Sequence, residues 1–99
     1  MTGGPIVVVG DVMTDIVVAL DGPLAYGSDT PARIVHRGGG AGANLAAWLA
    51  RAGANAVLIG AVGDDLAGAA LREELPGALL HVDAERPTGT CVVLVDASG

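Results

Sequence analysis

Apolar positions along this chain follow two periods, and they predict six strands and two helices. Ile6-Val7-Val8-Val9 is an unbroken β-branched run closed by Gly10, the pattern of a strand buried on both faces of a parallel sheet. Asp15 to Leu20 predicts a second strand, ended by Asp21-Gly22-Pro23. Residues 22–31 hold two prolines, two glycines and Ser28-Asp29-Thr30, which is loop composition, and Ala32 to Arg37 returns as a third strand. Leu45, Trp48, Leu49 and Ala52 then recur at helical spacing, with Gly53 as the C-cap and Trp48 expected in the core. Ala56 to Gly60 reads as another buried strand. An Asp of the pair Asp64-Asp65 caps a helix from Leu66 that stops at Pro76-Gly77. Leu79 to Val82 is a short strand, Glu85-Arg86-Pro87 a turn, and Thr90 to Val95 a strand in which Cys91 is expected to pack.

Strand, helix and strand alternate through the middle of this order, which predicts a parallel α/β sheet. Residues 15–37 and 88 onward stand outside the alternation. Short strands joined by a polar loop predict a small separate sheet beside the main layer.

The glycine run Gly38-Gly39-Gly40-Ala41-Gly42-Ala43-Asn44 lies between a strand and a helix. Without Cβ atoms, that backbone can come very close to another group. The helix behind it offers free N–H groups and a positive dipole end. Together these predict a site for an oxygen-rich ligand, an anion or a polyol. Asn44 is also placed to cap the helix.

Composition narrows the classes. Net charge is −6, and all five basic residues are arginines, so there is no lysine for a Walker A loop or a Schiff base. No basic stripe exists to neutralise phosphates, which argues against nucleic acid. One cysteine permits no internal disulfide and suits a reducing, cytoplasmic setting. The apolar start, Ile6 to Val9, is too short for a signal peptide core or a membrane span. Asp64 and Asp65 read as a cap and a solvated neighbour and not as a metal pair, and His36 and His81 receive no role. The chain closes on Asp96-Ala97-Ser98-Gly99, turn chemistry directly after a strand, so it is expected to be the N-terminal piece of a longer protein.

Gly39-Gly40-Ala41-Gly42-Ala43-Asn44, Leu49-Ala50-Arg51-Ala52-Gly53 and Gly60-Ala61-Val62-Gly63-Asp64-Asp65 with Gly68 resemble the first signature of ribokinase-like (PfkB-type) carbohydrate kinases. Gly10 to Asp15 resembles that family's first strand and substrate-binding Asp, and Pro87-Thr88-Gly89-Thr90 its return into a lid. The resemblance spans residues 6 to 99. It implies part of a three-layer α/β/α core with a small β-sheet lid, the lid strands lying at about 15–37 and 88–99. It also implies that Asp15 accepts hydrogen bonds from sugar hydroxyls, that Gly39 and Gly40 give the sugar backbone contacts, and that Asn44 holds a further hydroxyl. The complete enzyme would move the γ-phosphate of ATP, with Mg²⁺ bridging phosphates, to a hydroxymethyl group of a sugar or nucleoside. Ala41 stands where ribokinases often carry Lys, which leaves sugars other than ribose open. The family's C-terminal Gly-Ala-Gly-Asp motif, with its catalytic base and most of its ATP site, has no counterpart in these residues, so the piece alone is expected to be inactive.

Two other readings follow from the residues. Gly38-x-Gly40-x-x-Ala43 is close to a dinucleotide fingerprint, but the turn after Val9 lacks one and no acidic residue stands about 20 residues on at the end of the next strand, where Ile59 leads to Gly60. Exposed lid strands could instead pair with a second copy of the chain by edge addition, giving a homodimer.

Overall fold

The computed structural model describes residues 3–99. Eight elements run in the order β1 (Ile6–Val9), β2 (Met13–Leu20), β3 (Ala32–Gly39), α1 (Ala41–Arg51), β4 (Ala56–Gly63), α2 (Leu66–Glu74), β5 (Leu79–Asp83) and β6 (Gly89–Val95). They form two three-stranded sheets, β1-β4-β5 and β3-β2-β6. The first is fully parallel, with Val8 opposite Leu58 and Val62 opposite Val82. The second is mixed: β2 pairs antiparallel with β3 and parallel with β6. The strands outside the alternation thus gather into one sheet of their own.

This is a mixed α/β fold, one parallel sheet carrying helices beside a mixed sheet. Strand order β1-β4-β5 advances in one direction, so right-handed crossovers set α1 and α2 on the same face. Val8, Val12, Leu58, Val62 and Leu71 form the buried core there, and Ala43, Ala46, Leu49, Leu75, Leu80 and Val82 pack around it. The opposite face, with Val7, Val9 and Leu79, is exposed. One helical layer and the sheet are therefore present, and the sheet's second face is open.

Four expectations need correction. Helix α1 begins at Ala41 and not near Leu45, so Asn44 is inside it and Gly40 is the N-cap. Glycine's low helix propensity hides this first turn in the sequence. Trp48 is exposed, because the sheet packs on the small side chains Ala43 and Ala46 and on Leu49, while Leu45 and Trp48 lie on the outer side. The Arg51 guanidinium stacks on the indole there, 4.9 Å from the ring centroid. Cys91 is also exposed, since its face of β6 has no covering layer. The expected C-cap is one position late: Ala52 caps α1 and Gly53 follows with φ +88°, where glycine avoids the Cβ clash. The cap of α2 is Asp65.

Candidate functional site

The two sheets meet where β1 passes into β2 and β3 passes into α1. Close backbone packing fixes this junction. A Cβ added to Gly42 would lie 2.7 Å from the Gly10 carbonyl carbon and 2.9 Å from the Asp11 nitrogen. The Ala43 N–H donates to the Asp11 carbonyl at 3.1 Å, tying the first turn of α1 to the β1–β2 connection. Gly40 turns the chain from strand to helix at φ +99°, a conformation L side chains rarely adopt.

Asp15 and Gly39 come together at this junction. The Asp15 carboxylate leans over Gly39, so a Cβ there would stand 2.6 Å from Oδ1. Asp15 itself is partly buried in the middle sheet strand β2. Gly40 is the next residue and N-caps α1 without a side chain, and the first turn of α1 carries no acidic residue. The positive end of the helix therefore opens beside the carboxylate. Asn44 lies one turn in; its N–H donates to the Gly40 carbonyl at 2.9 Å and its side chain is exposed. A carboxylate acceptor, side-chain-free backbone and a helix N-terminus thus adjoin at one junction. Such a set suits a polyhydroxylated ligand, whose hydroxyls both donate and accept.

Register adds two neighbours that periodicity could not reveal. Arg37 of β3 and Cys91 of β6 sit directly opposite Asp15, one on each side. Strand alternation puts all three on one face of the sheet. The sequence gives each strand's faces but not which strands pair, so this rung was not legible in it.

A second polar cluster pins the mixed sheet to the core. The Asp65 carboxylate accepts from the Gly68 N–H at 2.8 Å, the Thr88 N–H at 2.8 Å and the Thr88 hydroxyl at 2.5 Å. Buried Thr88 also accepts from the Gly63 N–H at 2.9 Å. The Thr88 hydroxyl, then the Thr88 and Gly68 N–H groups, hold the Asp65 carboxyl below its usual value. Thr88 leads directly into β6, so this cluster sets where that strand begins. The motif Pro87-Thr88-Gly89-Thr90 was the signal for it.

Residues 5–99 match the pfkB family of carbohydrate kinases. The chain belongs to that family. It is 34% identical over 101 residues to a fructokinase of Klebsiella pneumoniae, covering 97% of this chain and 30% of that protein. Ribokinase from Giardia lamblia superposes with a TM-score of 0.83 at 26% identity, over 98% of this chain and 34% of that one. Ribokinase from Cryptococcus neoformans var. grubii, solved with ADP, gives 0.75 at 33% identity, over 94% of this chain and 31% of that one. The chain therefore spans about a third of the length of these pfkB relatives.

Proposed function

We propose that residues 1–99 form the sugar-binding N-terminal part of an ATP-dependent carbohydrate kinase. The observation that carries this is the Asp15 carboxylate folded over Gly39 beside the uncapped start of α1. In this reading Asp15 accepts hydrogen bonds from two sugar hydroxyls, each worth about 1.5–3 kcal/mol because the acceptor is charged. The Gly39 and Gly40 backbone approaches the ring, and Asn44 holds a further hydroxyl. The β3-β2-β6 sheet acts as a lid that excludes water, so that ATP is not hydrolysed in place of sugar phosphorylation. Family membership and the relatives named fructokinase and ribokinase support a sugar acceptor. The ADP in the Cryptococcus relative supports ATP as donor.

The described residues gather no group of three or more His, Cys, Asp or Glu able to hold a metal ion, and they offer no lysine to phosphates. The Gly-Ala-Gly-Asp motif that would supply the catalytic base has no counterpart in these residues, so the piece alone is expected to be inactive. No helix among the described residues is long and apolar enough to cross a membrane. The lone cysteine agrees with a cytoplasmic setting.

Asp15→Ala in the full-length protein tests the site. Sugar kcat/KM falls at least tenfold, with the fold retained by circular dichroism. An unchanged value removes Asp15 from the site.

A further inference from the structure

The three strands of the mixed sheet leave the core from one rung, where Met13 of β2 stands opposite both Gly39 of β3 and Gly89 of β6. At the β6 end the fit to the core is tight. A Cβ added to Gly63, the last residue of β4, would lie 2.5 Å from the Thr88 nitrogen and 2.7 Å from the Arg86 carbonyl oxygen. Buried Thr88 donates its N–H and its hydroxyl to the Asp65 carboxylate and accepts from the Gly63 N–H. Asp65 in turn is tied to the first turn of α2 through the Gly68 N–H. From this anchor β6 runs to Cys91, opposite Asp15, three residues and about 10 Å further on. Behind β2 and β3 the support is looser. Thr14, His36 and Gly38 face away from Asp15, and a cleft of about 70 Å³ separates them from Leu71 and Glu74 of α2. The nearest group to a Cβ on Gly38 is the carboxylate of Glu74, the far end of an exposed side chain.

Resting on the sugar-kinase reading above, we infer that Asp65 is a positioning residue for the sugar. Acting through Thr88, it fixes the height and angle of β6 on the core, and the ladder between β6 and β2 carries that placement to Asp15. In this role Asp65 touches no sugar atom. It keeps the Asp15 carboxylate aligned with the start of α1, where a misplacement of about 1 Å costs about a hundredfold in rate.

The test uses the full-length protein with ATP and D-fructose, D-ribose or adenosine, whichever it phosphorylates fastest, well below the melting temperature of every variant. Asp65→Asn and Thr88→Val each raise KM for that acceptor at least tenfold and leave KM for ATP within twofold. Thr88→Ser, which keeps the hydroxyl and the N–H, stays within twofold of the parent in both. Val8→Ala is the control for lost stability, since it removes core volume under β1 and leaves the Thr88 cluster intact. It lowers the melting temperature and moves the acceptor KM by less than twofold, because a smaller folded fraction lowers kcat alone. An acceptor KM unchanged in Asp65→Asn and Thr88→Val, or raised as much by Val8→Ala, overturns the inference and leaves the kinase reading standing. A parent that phosphorylates none of the three acceptors fails the kinase reading itself, and the inference falls with it.

Discussion

Gly39 and Gly42 are three residues apart, yet an added methyl group meets different obstacles at each. At Gly39 it meets the Asp15 carboxylate, the end of a side chain that can rotate away at a cost of about 1 kcal/mol. At Gly42 it meets the Gly10 and Asp11 backbone, which cannot move without parting α1 from the β1–β2 connection. Gly39→Ala should therefore melt within a few degrees of the parent but lose at least tenfold in sugar affinity. Gly42→Ala should lose about 1–3 kcal/mol of stability, outweighing the gain of about 1 kcal/mol from replacing a helical glycine. Thermal melts and a sugar titration on both variants check this; equal loss of affinity and stability at both would refute it. The glycine run drew attention to this region from the sequence alone. What each glycine avoids was not legible there, because the obstacles come from Gly10, Asp11 and Asp15, distant in sequence.

At the scale of elements, the Asp65 cluster carries the largest mechanical consequence. One carboxylate caps α2 and also fixes Thr88 at the entry to β6, so a helix start and a sheet edge share an acceptor. Asp83 works similarly, accepting from the Glu85 and Arg86 N–H groups at 2.8 and 3.1 Å to close the turn before Pro87. The Asp65 and Asp83 carboxyls are both held below the ordinary value of 3.8. A carboxyl with its folded pKa below its unfolded one stabilises the fold above the unfolded value, and that stabilisation is lost as pH falls through the folded one. Asp65→Asn should thus melt lower than the parent at pH 7, and the gap should shrink below about pH 4. A gap that stays constant from pH 7 to pH 2.5 would mean that the charge of Asp65 is irrelevant and only its shape matters. The sequence marked an Asp here as a helix cap, since Asp before an apolar helical pattern is a strong local signal. Its bond to Thr88 spans 23 residues, and no local pattern carries that. The pairing of β2 with β6 was hidden in the same way. Alternation in Asp15–Leu20 and Thr90–Val95 names two faces for each strand, but no neighbour.

The whole molecule is extended, at 54 × 33 × 17 Å with a radius of gyration of 16.3 Å, against about 13 Å for a compact domain of this length. The two sheets meet at the glycine junction and at the Asp65–Thr88 cluster, and among the described residues five hydrophobic ones are buried, all on the helix side of β1-β4-β5. On the open side Val7 is 55%, Val9 76% and Leu79 62% exposed. Ile34, Val92 and Leu94 of the mixed sheet are similarly bare, at 57%, 60% and 58%. Strand-rich apolar surface of this kind is rarely left uncovered in a soluble monomer, and sheet edges beside it invite pairing. Produced alone, the 99 residues should therefore self-associate or stay partly molten, bind a hydrophobic dye and melt without a sharp transition. Val9→Thr together with Leu79→Thr should lower dye binding while leaving Asp15, on the other sheet, untouched. Sedimentation velocity and calorimetry decide: a monomer with a sharp cooperative melt would show that the five-residue core suffices, and that the bare faces are a surface the chain tolerates.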